Sequence, residues 1–593
     1  MTTLKQIYAP VPQPSRARSI HIGGDPKGIN ILYCVSNSVV IRSVKDISKA
    51  ELYQQHSYNP TIARYSPSGF YIASADSNGM VRIWDTTQAE HILKCEFQLL
   101  AGPATDMCWT DDSKRLSVVG QGREKFGVVV AFDTGASVGE ITGHSKIINS
   151  VDLKQSRPYR LVTGSDDLNV NFFEGPPFKF KKSNKLHQRF VNCVRFSPNG
   201  ERFLSVGSDK KIVAYDGKTG DVLREIEDAH KLGIYSVAWS PDSTKFVTAS
   251  ADKSVKLWNA SDFSLLKTIQ MGEDIDDQVL GCIWNGNQIV TIALSGFITL
   301  LDPESESKKI VRGHNKRITA LAYDSSNNKI YSADFSARML EWNVESAETN
   351  VFTGKPHENQ ISALSVADGQ LYSIGMDDAL KVSSIAEKKW GESIPLDLQP
   401  VGLAVCAGQN VSIVIGGTSI LIVNGTKIVS RTSVEYDPLS VAVNQKGDEI
   451  AVGGKDKKIY VYSLANKSNV TQKYVLSEHW GEVTALSYSG ENKLVSADSN
   501  REVIVWDGQK RLVDNWVFHT TRINSVAWSP DNVHIASIST DSNLIIWNVS
   551  QPNNHVIYKN AHHGGGTEVT WINSNTVVTG GQDCALKAWT FGG

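Results

Sequence analysis

The sequence predicts an all-β protein in which fourteen four-stranded blades form two seven-bladed β-propellers in tandem. Three observations lead there. A short β-rich phrase ending in an aromatic residue followed by Asp or Asn recurs along the chain. Its copies are spaced by about 40–45 residues, the length of one four-stranded blade. Fourteen copies account for nearly all 593 residues, which leaves no long region for a separate catalytic domain. One propeller commonly holds four to eight blades, so fourteen divide as seven plus seven.

The clear copies are Ile83-Trp84-Asp85, Ala214-Tyr215-Asp216, Leu257-Trp258-Asn259, Glu341-Trp342-Asn343, Val505-Trp506-Asp507 and Ile546-Trp547-Asn548. Degenerate copies fill the gaps: Ala131-Phe132-Asp133, Phe172-Phe173-Glu174, Leu300-Leu301-Asp302, Val423-Asn424, Tyr462-Ser463 and Trp589-Thr590. The weakest are Ile41-Arg42-Ser43 and Val382-Ser383-Ser384. Steps between successive copies run from 39 to 48 residues.

Each unit carries the same internal chemistry. After His230, Ile234 to Trp239 reads as a short strand, and Ser240-Pro241-Asp242-Ser243 as a turn in which Pro presets φ. Lys245 to Ser250 is a second strand, Asp252 closes the next turn, and Ser254 to Trp258 alternates as a third. The segment His519 to Asn548 repeats this almost position for position.

These repeats resemble WD-repeat proteins over the full length of the chain. The resemblance implies that His, Ser, Asp and Trp of a blade form a buried hydrogen-bond chain, with Ser linking His to the indole N–H and Asp accepting from His. A satisfied network of this kind pins a turn to its sheet. The expected sets are His230/Ser250/Asp252/Trp258 and His519/Ser539/Asp541/Trp547, with His479/Ser496/Asp498/Trp506 as a looser one. A Ser/His/Asp catalytic triad is disfavoured because the set recurs in several blades, whereas an active site would occur once. His562-His563 falls at the loop leading into the last blade, so His562 reads as structural and not as a metal ligand.

The domain boundaries expected are 10–313 for the N-terminal propeller and 314–593 for the C-terminal one. Each repeat phrase ends on a third strand, and only Phe591-Gly592-Gly593 follow the last phrase. The fourteenth blade therefore lacks an outer strand. Leu4 to Ala9, within segment 1–9, is β-like and is expected to supply it, which avoids an exposed sheet edge.

Composition narrows the function. Lys+Arg 60 against Asp+Glu 62 gives a net charge of −2, without the basic excess that nucleic acid or an anionic membrane would favour. No apolar run approaches the ~20 residues of a transmembrane helix. Met1 to Ile20 has no apolar signal-peptide core, so the expected location is the cytoplasm. The seven cysteines are scattered and none are spaced as CxxC, so neither a zinc knuckle nor a disulfide framework is indicated. Gly120-x-Gly122 lacks the GxGxxG spacing and a following Lys-Ser/Thr, so it does not read as a phosphate loop.

The irregular third and fourth units are more specific. They contain Gly120-Gln121-Gly122-Arg123-Glu124-Lys125-Phe126-Gly127, Ser156-Arg157-Pro158-Tyr159-Arg160, Gly164-Ser165-Asp166-Asp167 and the run from Phe172 to Lys181. With Arg82 to Gln88, Gly313-His314-Asn315-Lys316, Trp528 to Val533 and Gly581-Gln582-Asp583, they resemble the actin-interacting protein one family across the whole chain. The resemblance implies binding to actin filaments decorated by cofilin, promotion of their disassembly and restriction of barbed-end regrowth. It implies no catalysis, no cofactor and no metal, and a monomer on the actin cytoskeleton. A generic WD-repeat scaffold or adaptor is the alternative.

The residues themselves suggest where the contact lies. The 48-residue step between the second and third phrases places extra chain in the Gly120–Gly127 loop, and Asp166 occupies the equivalent loop of the next blade. Glu124 and Asp166 would make that face locally acidic, with Phe178 and Phe180 alternating with Lys179 and Lys181 on the following outer strand. An aromatic–basic rim beside an acidic loop suits protein binding. The expected contacts are Glu124, Asp166 and Phe180, with Arg123, Lys125 and Lys179 as weaker members. Asp167 is expected to be the turn Asp of its blade, leaving Asp166 freer for a partner.

Overall fold

A computed structural model describes residues 3–465 and 468–592. Among them are fourteen four-stranded antiparallel sheets and one short 3-10 helix, Ile275–Asp277. Thirteen sheets are built from four consecutive strands, and these blades are numbered here in chain order. The fourteenth takes three strands from the end of the chain, Gly566–Asn573, Thr576–Gly581 and Leu586–Thr590, and its outer strand from Thr3–Tyr8.

Blade 6 shows why these sequences fold this way. Ile234–Trp239 is buried at every position and Lys245–Ser250 at all but the first, because both strands lie between two neighbouring sheets. A strand covered on both faces carries a near-continuous apolar run in place of alternation. Burial drops on Ser254–Asn259 and is nearly lost on Leu265–Gln270, the outer edge. Between the first two strands, Asp242 accepts from Ser240 Oγ and from the Thr244 N–H, while Ser243 takes a positive φ of 62°. The core lies between blades: Phe246 stacks on Trp258 at 6.0 Å and, with Trp239 of the same sheet, joins Leu204 and Ile212 of blade 5.

Two compact units result. One is Val11–Arg312, with blades 1–7; the other joins residues 3–10 to the chain from Gly313 onward, with blades 8–14. Each ring closes on itself. In the first unit Gly23–Gly24 of blade 1 meets Val279–Asn285 of blade 7. In the second, Ile318–Asp324 of blade 8 meets Gly566–Asn573 of blade 14.

The two closures differ in chemistry. In the second unit, Thr3–Tyr8 runs antiparallel to Leu586–Thr590, with Leu4 opposite Trp589 and Tyr8 opposite Leu586. The Tyr8 hydroxyl donates to the Val344 carbonyl at 2.8 Å, and its ring meets Trp342 edge-on at 5.6 Å, so the strand also grips blade 8. The first unit exchanges no strand. Residues 18–22 instead bridge several of its blades: Ser19 Oγ donates to the Asn192 carbonyl at 3.2 Å and the Ile20 N–H to Leu280 at 3.0 Å. His21 Nε2 lies 2.9 Å from the Asn149 carbonyl, and Arg64 donates to the Ile22 carbonyl. Beneath them the wholly buried Asp106 holds Arg64 and Arg195, each at 2.8 Å.

Candidate protein-binding face and the blade network

Nine blades among the described residues hold a His–Asp pair, from His56–Asp76 to His562–Asp583. In each, His Nδ1 faces the Asp carboxylate and Nε2 faces a Ser or Thr hydroxyl. In six, that hydroxyl also accepts from a Trp indole N–H ten residues further on. Blade 5 puts Tyr215 in the Trp position, where its hydroxyl meets Ser205 at 3.2 Å. Burial lowers the pKa of His56, His230, His357 and His562, which favours the neutral ring that can donate from Nδ1 and accept at Nε2.

The network corrects two sequence expectations. Ser250 does not link His230 to Trp258; Thr248 does, at 2.7 and 2.9 Å. Ser539 does not link His519 to Trp547; Ser537 does, at 2.8 Å to each. Ser250 and Ser539 instead donate to the Gly233 and Arg522 carbonyls and accept from the N–H of Asp252 and Asp541. The cause is turn length. In blades 2, 8 and 12 the Asp follows the linking hydroxyl by two residues, as Asp498 follows Ser496, and that set stands as read. In blades 6 and 13 it follows by four, and the intervening serine braces the turn.

Blades 3 and 4 carry the expected contact residues. Arg123 and Glu124 are exposed in the connection between Arg115–Gly120 and Gly127–Ala131. Lys125 is exposed too, but its ammonium pairs with Glu140. Lys179 and Phe180 are exposed on the outer strand Lys179–Asn184, with Phe180 46% accessible. The Phe180 ring is supported from below by Phe173, edge-on at 5.9 Å. Phe178 does not share this rim: it precedes the strand and is buried against Gly139, in a core with Phe173 and Tyr159.

Asp166 is not the free carboxylate expected. It is buried, pairs with Arg18 at 3.0 Å and accepts from Asn149 Nδ2 at 2.7 Å. Asp167 is the turn residue of blade 4, 2.9 Å from His144 Nδ1. Sequence reasoning missed Arg18, because nothing local in a polar N-terminal stretch marks a partner some 150 residues away. It also missed Asn171, which is wholly buried opposite Ser183 while both polar atoms of its amide lack a hydrogen-bond partner. An added Cβ on Gly143 would stand 3.1 Å from both that amide and the Phe180 ring, so the orphaned amide lies at the edge of the aromatic rim.

Among the described residues, one group has metal-ligand character. His479, Asp498 and Glu502 bring ligand atoms within 4.8 Å of one another. His479 and Asp498 are committed to the network of blade 12, and Glu502 pairs with Arg511 at 2.8 Å. The donor set is that of a blade network with an adjoining ion pair.

A ring of blades pinned by a repeated His–Asp–Ser/Thr–Trp network defines a WD-repeat propeller protein. The family described as "WD domain, G-beta repeat" matches residues 50–85, 135–174, 178–216, 220–259, 470–507 and 510–548. The chain is 43% identical over 595 residues to the 66 kDa stress protein of Physarum polycephalum, with 99% of both proteins aligned. It is 42% identical to Actin-interacting protein 1 of Drosophila melanogaster, covering 99% of this chain and 97% of that one. It is 43% identical to WD repeat-containing protein 1 of Rattus norvegicus, with 99% of both aligned. The chain belongs to the family of WD-repeat proteins that includes Actin-interacting protein 1 and WD repeat-containing protein 1.

Proposed function

We propose that this protein binds actin filaments and cooperates with cofilin to disassemble them and to restrict barbed-end regrowth, acting as a monomer on the cytoplasmic actin cytoskeleton. The observation that carries this reading is the end-to-end alignment with a protein named for its interaction with actin. The reading is non-catalytic. The His–Asp–hydroxyl sets that could mimic an active site recur in nine blades and are consumed in holding turns.

The contact face proposed is that of blades 3 and 4, with Glu124 and Phe180 at its centre and Arg123 and Lys179 beside them. Asp166 supports it from within by holding Arg18, and Lys125 through its pair with Glu140. Filament cosedimentation with and without cofilin tests the reading. Binding should rise when cofilin is present, and the double variant Glu124→Ala/Phe180→Ala should weaken it at least ~10-fold, as loss of an interface anchor does. Cofilin-independent binding, or none, would point to a scaffold for other partners.

A further inference from the structure

The ring closure of the unit Val11–Arg312 leaves a cleft between blades 1 and 7 that the binding face of blades 3 and 4 does not involve. Two tight turns form its floor. Gly28 and Gly286, both at positive φ, approach so closely that a Cβ on Gly28 would stand 2.8 Å from the Gly286 Cα. The cleft has a volume of about 700 Å³, within the range of small-molecule sites.

Its charge is one-sided. Lys27, Lys45 and Lys308 line it, against a single carboxylate, Asp302. They reach it from three separate segments: the turn inside blade 1, the connection to its outer strand, and the outer strand of blade 7. Lys27 and Lys45 are exposed and make no ion pair among the described residues. Asp302 is turned back on its own loop, where Oδ1 accepts from the N–H groups of Glu304 and Ser305 at 2.8 and 3.2 Å. Lys308 donates to the Gln270 carbonyl, which fixes its stem but does not neutralise its charge.

We propose that this cleft is a binding site for a compact polyphosphorylated anion of the inositol phosphate type. Clustered ammonium groups in a concave site with low-dielectric walls focus positive potential on a ligand carrying several phosphates. Lys27 and Lys308 belong to opposite ends of the unit, so the ligand would bridge the seam where the ring closes and raise the unit's melting temperature by mass action. The same chemistry occurs in a free inositol phosphate and in a phosphoinositide headgroup.

Isothermal titration of the full chain with inositol hexakisphosphate, and flotation with phosphatidylcholine vesicles with and without phosphatidylinositol bisphosphate, test the site and separate the two sources. Saturable one-site binding to either probe is expected. Lys27→Glu/Lys45→Glu should weaken it at least ~10-fold, since two attractions become repulsions. The neutral pair Lys27→Gln/Lys45→Gln, which introduces no new charge clash, should weaken it by less, with an unchanged melting profile in the absence of ligand. Lys455→Glu/Lys457→Glu, exposed in the other unit, should leave it intact. Absence of binding to both probes, or equal weakening by the Lys455/Lys457 reversal, would overturn the assignment.

Discussion

The Trp258 indole N–H donates to Thr248 Oγ1 at 2.9 Å, and the same oxygen stands 2.7 Å from His230 Nε2. With Asp252 on His230 Nδ1 at 2.9 Å, one threonine hydroxyl completes a chain from a turn carboxylate to a buried indole. Thr248→Val keeps the shape of the side chain and removes both bonds. It leaves the indole N–H and the imidazole unsatisfied in a buried site, at about 1–3 kcal/mol for each group. Ser250→Ala breaks only the bracing of the turn and should cost about 1 kcal/mol. Denaturant melts that follow the unit Val11–Arg312 separately should rank Thr248→Val well above Ser250→Ala. The reverse order would return the linking role to Ser250.

A second prediction concerns Thr3–Tyr8. Removing residues 1–8 exposes the edge of Leu586–Thr590 and takes away the Tyr8 bond to Val344. An unpaired edge is a template for association with other chains. Hydrogen exchange should accelerate in 586–590 and in the neighbouring strands of blade 14, and the unit containing blades 8–14 should melt earlier and aggregate. Exchange in blades 1–7 should not change. Unaltered protection of 586–590 would sink this prediction.

The number, order and class of the blades were legible because each blade repeats one pattern at a nearly fixed step. Turn residues such as Ser240-Pro241-Asp242 announce themselves locally, and the aromatic–Asp/Asn phrase marks each third strand. What was not legible depended on counting within a turn or on distant contacts. The linking hydroxyl of blade 6 could be Thr248 or Ser250, since both fall on the same side of a strand of period two, and what decides is the turn, which sets Asp252 four residues after the hydroxyl where Asp498 follows Ser496 by two. Phe178 and Phe180 share the same parity and read as a pair, yet Phe178 lies in the turn before the strand and is buried. Asp166 looked free because Arg18, its partner, arrives from the far end of the unit's sequence.

That last contact separates stability from binding. Asp166→Ala strips Arg18 and the buried Asn149 of their shared acceptor and should cost about 1–2 kcal/mol, the usual penalty for a buried donor left partly unsatisfied. Glu124 is exposed and lies away from the core, so Glu124→Ala should change stability by no more than about 0.5 kcal/mol. If both variants lose filament binding, only Asp166→Ala should also melt earlier. Early melting of Glu124→Ala would mean that the loop is structural and would remove it from the proposed face.

His21 makes the ring of blades 1–7 sensitive to acid. Burial lowers its pKa from 6.5 to about 4; Asp106 opposes that shift, while Arg195 and Arg64 add to it. The folded ring stays neutral, with Nε2 donating to the Asn149 carbonyl and Nδ1 facing Arg195 at 3.2 Å. In the unfolded chain the same imidazole takes up a proton below pH 6.5. A histidine with a depressed folded pKa therefore contributes its full stability above pH 6.5 and loses it as pH falls toward 4. The gap between the two values corresponds to about 3 kcal/mol in total, of which about 2 kcal/mol is gone by pH 5. His56 and His230 in the same unit shift in the same direction, so the whole unit should soften over this range. His21→Gln keeps an N–H for Asn149 and an acceptor for Arg195 but does not titrate. It should flatten the decline in melting temperature of this unit between pH 7 and 5 by the share that His21 contributes, while the decline due to the blade histidines persists. An identical slope in the variant and the parent protein would show that His21 is not protonated on unfolding in this range, and the bridge of residues 18–22 would then owe its acid response to the blade networks alone.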